Sequence, residues 1–265
     1  MIKLIASDID GTLVKDGDNQ LNPEYYQEIL RLREKGIQVA VASGRQWHSI
    51  ERIFDPIKEK VFYISDNGAY VGCYGRNLFL SEIDRQMVME MIQDARQYPG
   101  LDVMLSGPDV VYLETENQEF IRWLVDSYRF EVKQVPDLTK VEDRFIKISL
   151  YRKHSVEENT AEIREKYRDK LKITISGDMW VDCMAKGVSK GAAIRQIQES
   201  LGILPEETMA FGDQLNDMEM LEQAYYSYAV GNARPEVKKA ARFQADTNAN
   251  YGVLKVLKLL SLSAG

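Results

Sequence analysis

Cysteine is nearly absent from this chain: Cys73 and Cys183 are the only two, far apart and without a CxxC, which argues against a disulfide framework or a cysteine-based zinc site and fits a reducing compartment. There is no stretch of about 18 consecutive apolar residues, and the opening run MIKLIASD breaks at Asp8, too early for the core of a signal peptide. Those absences predict a cytoplasmic protein that crosses no membrane. Basic residues are in the minority, 34 against 41 acidic, and form no cluster; the net charge of −7 disfavours nucleic acid as a partner. No GxGxxG follows the first apolar run, so a dinucleotide module is disfavoured. Repeats, low-complexity segments and proline-rich linkers are also missing. What remains is 265 residues, 45% hydrophobic and 28% charged, the composition of an ordinary globular chain with one large domain or two modest ones.

The periodicity predicts alternation. A buried strand over Ile2 to Ala6 opens into Asp8-Ile9-Asp10-Gly11-Thr12, and a helix follows with Asn22 as N-cap, Pro23 in its first turn and Gly36 at its end. Strand Ile37 to Ala42, helix Gln46 to Phe54 and strand Val61 to Ile64 continue the pattern of right-handed crossovers that builds a parallel sheet. After Leu80 the pattern changes. Helices at Asp84 to Gln97, Gln118 to Tyr128 and Val156 to Asp169 separate strands at Leu101 to Leu105, Val110 to Leu113, Phe145 to Leu150, Leu171 to Ile175 and Trp180 to Met184, which predicts an α+β unit with an antiparallel sheet. The parallel style returns with helix Ser189 to Leu201, strand Met209 to Phe211, a short helix to Gln223, strand Tyr226 to Val230 and helices Pro235 to Arg242 and Val253 to Leu260, before a frayed tail at 261–265. The expected fold is therefore α/β: a Rossmann-like parallel-sheet core (residues 1–82 and 187–265) with an inserted α+β cap (residues 83–186).

In open α/β sheets ligands bind beyond the carboxyl ends of the strands, so the loops at Asp8, Ser43, Asn67 and Asp213 should share a crevice. Asp8 and Asp10, two residues apart at a strand end, project to the same side and need a cation or a proton between them. Gly11 permits a tight turn, and Thr12 offers a hydroxyl and an amide to an oxyanion. Gly212-Asp213-Gln214-Leu215-Asn216-Asp217 adds a second pair of carboxylates after another short strand. Each loop alone reads equally well as a capped turn, but four acids at one sheet end favour a divalent cation such as Mg2+, which takes oxygen ligands and few protein carboxylates. Lys190 opens a helix, where the macrodipole disfavours a cation; either it is paired with acids or it points into water. Ser43-Gly44-Arg45 offers a hydroxyl, an amide and a guanidinium suited to phosphate oxygens.

With these residues in view, the chain resembles the haloacid dehalogenase superfamily phosphatases of the Cof-type branch, which carry a large α/β cap between two halves of a Rossmann-like core. The resemblance rests on Asp8-Ile9-Asp10-Gly11-Thr12, Ser43-Gly44-Arg45, Asn67-Gly68-Ala69, Gly187-Val188-Ser189-Lys190-Gly191, Gly212-Asp213 with Asn216-Asp217-Met218, and Gly231-Asn232-Ala233. It implies that Asp8 is the nucleophile forming an aspartyl-phosphate and Asp10 the acid and base. Gly11, Thr12, Ser43, Gly44, Lys190 and Asn216 would surround the phosphoryl group. Asp8, the main-chain carbonyl of Asp10, and Asp213 would ligate Mg2+, with Asp217 supporting directly or through water. Gln214 and Leu215 depart from the small or acidic residues common in this branch. Arg45, Asn67, Trp180, Asp182 and Tyr112 are candidates for substrate contact, whereas His48 and His154 read as bystanders, Cys73 and Cys183 as structural and Met87, Met89 and Met91 as a packing face. The expected activity is Mg2+-dependent hydrolysis of a small phosphorylated metabolite, a sugar phosphate foremost, by a monomer or weak homodimer. A sugar phosphomutase and a non-catalytic phosphoacceptor or metabolite-binding protein are the alternatives.

Overall fold

A computed structural model describes residues 1–15, 18–176 and 178–263. The chain begins with β1 (Leu4–Asp8), α1 (Pro23–Glu34), β2 (Gln38–Ala42), α2 (Trp47–Ile53) and β3 (Phe62–Ser65), the crossovers that the hydrophobic runs predict. Helix α1 starts where its sequence says it should: the Asn22 side chain accepts the Glu24 N–H at 3.0 Å, and Pro23 occupies the first turn. The strands β4 (Tyr70–Cys73) and β5 (Arg76–Leu80), which periodicity did not predict, then form an antiparallel hairpin on the edge of this sheet. Tyr74 and Gly75 both take positive φ, as a two-residue hairpin turn requires.

The chain leaves this layer for α3 (Arg85–Ala95), β6 (Asp102–Ser106), β7 (Val111–Leu113), α4 (Gln118–Tyr128), β8 (Val132–Gln134), β9 (Lys147–Tyr151), α5 (Val156–Asn159), α6 (Ala161–Tyr167), β10 (Leu171–Ser176) and β11 (Trp180–Ala185). Their six-stranded sheet runs β10-β11-β9-β6-β7-β8. It is mixed rather than antiparallel throughout, because β8, too short to be seen by periodicity, pairs parallel to β7. The single helix expected over Val156 to Asp169 is two: at Thr160 the backbone leaves helical geometry and the buried hydroxyl donates to the Val156 carbonyl at 2.7 Å.

The return passes through α7 (Lys190–Leu201), β12 (Thr208–Gly212), α8 (Met218–Glu222), β13 (Tyr226–Ala229), α9 (Pro235–Ala240), β14 (Phe243–Gln244) and α10 (Gly252–Ser263). The first sheet is completed in the order β14-β13-β12-β1-β2-β3-β4-β5, parallel from β14 to β3. Contrary to the expected fraying, residues 261–263 continue α10; residues 264–265 lie outside the described part. The crossovers place the ends of β12, β1, β2 and β3 side by side, facing the second sheet. Each sheet has its own apolar core, the first around Leu4, Val41 and Phe211 and the second around Leu105, Ile148 and Val181. Among the described residues, no helix is long and apolar enough to cross a membrane.

Candidate active site

The end of β1 is buried along its whole length, so Asp8 is delivered into an interior that its carboxylate cannot occupy alone. Lys190, in the first turn of α7 and 1% exposed, meets it: Nζ lies 2.6 Å from Asp8 Oδ1 and 2.7 Å from Asp217 Oδ1. The cation that the macrodipole disfavours is thus held by two acids. Asp217 turns its other oxygen to the N–H groups of Asp213 and Gln214, at 2.9 and 3.0 Å. Asp213 accepts from the Thr12 hydroxyl at 2.8 Å and from Gln214 Nε2 at 3.2 Å. Gly11 closes the turn with φ +84°, and a Cβ there would sit 2.4 Å from Asp213 Oδ2, so no other residue permits this approach.

The charges at this end do not balance. Oxygens of Asp8, Asp213 and Asp217 lie within 4.8 Å of one another, and the one lysine among them leaves an excess of negative charge. Burial, then the Asp217 charge, pushes Asp8 well above the ordinary carboxylate range, with Lys190 pulling it back; burial and Asp217 also lift Asp213 to about 6. Lys190 is held charged because Asp217 and Asp8 outweigh the opposing effect of burial. Asp8 Oδ2 is buried with no hydrogen-bond partner, which is the state of an acceptor awaiting a cation. Three hard carboxylate ligands, one of them bearing the unsatisfied oxygen, suit Mg2+. The Asp10 carboxylate lies outside this trio.

Asp10 instead faces the cavity beside β2. Arg45 grips it with two parallel bonds, Nε to Oδ2 at 2.9 Å and a terminal nitrogen to Oδ1 at 2.6 Å, while the Ser43 hydroxyl reaches Oδ2 at 3.2 Å. Arg45 is 2% exposed and also donates to Asn19 Oδ1 and the Asp18 carbonyl. Expected at the substrate, it is held on Asp10 and also borders the cavity. Thr12, expected at the phosphate, spends its hydroxyl on Asp213 and its amide on the Ile9 carbonyl. Asn216, also expected there, donates to Asn67 Oδ1 at 3.0 Å.

Asn67 belongs to the turn Asp66-Asn67-Gly68, in which all three residues have positive φ, a strained backbone costing about 1–3 kcal/mol for each non-glycine residue. Surrounding contacts hold it. Asp66 and Asn67 N–H donate to the carbonyls of Arg45 and Ser43, and Gly68 packs so closely on the Ser189 carbonyl that a Cβ would lie 2.3 Å from it. Asn67 Nδ2 then crosses to Asp182 of β11 at 2.7 Å. Asp182, offered by the sequence as a substrate contact, is committed on both oxygens, to Ser149 on one and to Asn67 and Ser176 on the other. Tyr112 lies elsewhere, in the apolar layer on the sheet's other face, with its hydroxyl on Asp143. Trp180 does line the cavity, stacked into a cluster with Phe120, Trp123 and Tyr151.

Sequence reasoning missed Lys147, Asp66, Tyr128 and Phe130. Lys147 is the first residue of β9, 2% exposed, with Nζ 2.8 Å from Asp66 Oδ1 and 2.6 Å from the Gly44 carbonyl. A lysine within the strand predicted over Phe145 to Leu150 was its one signal.

The sequence profile of the haloacid dehalogenase-like hydrolases matches residues 5–257. The 5-amino-6-(5-phospho-D-ribitylamino)uracil phosphatase of Escherichia coli is 28% identical over 257 residues, 97% of this chain and 95% of that protein. A crystal structure from Eubacterium rectale is 40% identical with a TM-score of 0.89, covering 98% of this chain and 99% of that one. A sugar phosphatase of haloacid dehalogenase subclass IIB, 23% identical, shares the fold with a TM-score of 0.83 over 98% of this chain and 99% of its own.

Proposed function

The chain belongs to the haloacid dehalogenase-like hydrolases and is a phosphatase, and on that premise we propose that it hydrolyses a small phosphorylated metabolite through an aspartyl-phosphate on Asp8. The observation carrying this reading is the pairing of two unlike carboxylates at one strand end: Asp8 buried on Lys190, and Asp10 facing the cavity on Arg45. Asp8 attacks phosphorus, the bond from phosphorus to the ester oxygen breaks, and Asp10 hands that oxygen a proton. Asp10 then takes a proton from water as the water attacks phosphorus and the Asp8–phosphorus bond breaks, returning both acids to their starting states. Asp8, Asp213, the main-chain carbonyl of Asp10 and, directly or through water, Asp217 would hold Mg2+, which supplies charge neutralisation to the phosphoryl oxygens. Ser43, the Gly44 peptide and Lys190 orient the phosphoryl group, and residues 83–186 form the cap over it.

The leaving group is a sugar or polyol. The cavity is also lined by Ser149 and Ser176, whose hydroxyls donate to Asp182 and can still accept from a sugar hydroxyl, and by the aromatic side chains of Tyr128, Phe130 and Trp180. Those aromatic side chains favour a second reading, in which a planar ring is carried at the far end of the polyol, as in the substrate for which the Escherichia coli relative is named. The test is phosphate release from a panel of sugar phosphates, polyol phosphates and the ribitylaminouracil phosphate, with and without Mg2+. Wild-type protein should release phosphate only with metal, and Asp8→Asn should keep its fold and lose turnover. Substantial turnover by Asp8→Asn would sink the covalent mechanism, and return of an isomerised sugar phosphate in place of free phosphate would make the enzyme a mutase.

A further inference from the structure

Among the described residues, Lys147 is the one buried lysine that the second sheet turns toward the loops of the first. Its Nζ pairs with the Asp66 carboxylate at 2.8 Å and donates to the Gly44 carbonyl at 2.6 Å, and the side chain lines the cavity. The two sites it joins are already joined through the backbone: the Asp66 N–H donates to the Arg45 carbonyl and the Asn67 N–H to the Ser43 carbonyl. The loop Ser43-Gly44-Arg45 is therefore fastened on one side by a left-handed turn and on the other by a cap side chain. An ion pair buried to this depth costs desolvation that an apolar pair would not incur, so its presence calls for a role in geometry rather than stability.

We propose that Lys147 is a positioning residue for the phosphate-facing loop, fixing the Gly44 peptide through its carbonyl so that phosphate affinity depends on the cap being docked. The inference rests on the phosphatase reading above for what the loop binds. The pair Lys147 and Asp66 carries no net charge, so removing both together leaves the long-range field at the site unchanged and isolates the loop's geometry.

The experiment is calorimetric titration of inorganic phosphate into the Mg2+-loaded full chain, with melting temperature measured alongside. Lys147→Met should melt earlier, because Asp66 is left buried and unpaired, and should bind phosphate about 10- to 100-fold more weakly, the scale set by an ångström of misplacement. Adding Asp66→Asn should restore most of the melting temperature and none of the phosphate affinity. Asp66→Asn alone keeps Lys147 on Gly44 and should stay within about threefold of wild type, a loss too small to reflect a displaced loop. Wild-type affinity in the double variant, or equal losses in Asp66→Asn and Lys147→Met, would overturn the proposal by assigning the effect to an unpaired buried charge. Phosphate binding without hydrolysis of any ester would instead sink the phosphatase reading and leave the role of Lys147 standing.

Discussion

Two lysines are buried in this molecule almost equally, Lys190 at 1% and Lys147 at 2% exposure, and each Nζ touches two oxygens. Their surroundings differ in arithmetic. Lys190 shares its space with three carboxylates whose oxygens lie within 4.8 Å of one another; Lys147 contacts one carboxylate and a neutral carbonyl, and the second acid that supports its charge, Asp182, is already held by Ser149, Asn67 and Ser176. The first gathers oxygens that a divalent cation could take. The second gathers no such cluster among the described residues, and its contacts tie one loop to another. Both lysines are held charged against burial by their acidic neighbours, which means that charge state alone does not distinguish them. The number of carboxylates gathered at one point does.

The sharpest way to break this comparison is Lys190→Met. With the lysine gone, Asp8, Asp213 and Asp217 confront one another in the interior, and removing one partner of a buried pair costs about 3–5 kcal/mol. The acids can relieve part of that by taking up protons, so the loss of stability should be larger at pH 8 than at pH 5. Turnover should fall about 10^3-fold, the scale of removing one preorganised electrostatic partner. Thermal melts at the two pH values and the rate of phosphate release check both. A Lys190→Met protein that hydrolyses esters like wild type would place the lysine outside the chemistry and erase the contrast with Lys147.

The contrast also separates what the sequence made legible from what it did not. Asp8, Asp213, Asp217 and Lys190 were readable because each sits at an apolar run's end or a helix's first turn, positions where an ionisable residue is conspicuous. Lys147 lies inside the predicted strand Phe145 to Leu150, where nothing local distinguishes a lysine that enters an interface from one that remains in water; its partner Asp66 is about eighty residues away and is brought to it by the insertion of the second sheet. The same holds for Arg45, whose type suggested a phosphate contact and whose position, fixed by the fold of residues 18–19 and by Asp10, made it a clamp on an acid. The crossovers of the parallel sheet followed from periodicity, whereas β8 and β14 were invisible because two or three residues carry no period.

A smaller effect sharpens the comparison through pH. Asp213 titrates near 6 in the fold without metal and near the ordinary carboxylate value when unfolded, so between those values the folded state binds more protons. By linkage its contribution makes the metal-free protein less stable as pH rises through that window, the opposite of an acid stabilised by an ion pair. A cation requires the deprotonated acid and reverses the trend. The rise in melting temperature on adding Mg2+ should therefore be small at pH 5 and grow to a plateau above pH 7. A gain independent of pH would separate Asp213 from the metal.

The smallest expected effect is the most exacting. If Lys147 sets geometry at the phosphate loop and Lys190 sets charge at the carboxylates, then Lys147→Met with Asp66→Asn should leave Mg2+ affinity within about twofold of wild type, since sites that share no partner contribute additively to within about 0.3–0.5 kcal/mol. Neither Lys147 nor Asp66 contacts Asp8, Asp213 or Asp217, and the pair's removal changes no net charge. Titration of the double variant with Mg2+, followed by its melting temperature, measures this directly. Metal affinity that falls together with phosphate affinity would mean that the two ends of the site move as one body, with the cap positioning the acids as well as the loop; metal affinity that holds while phosphate affinity falls would assign charge to the core and placement to the cap.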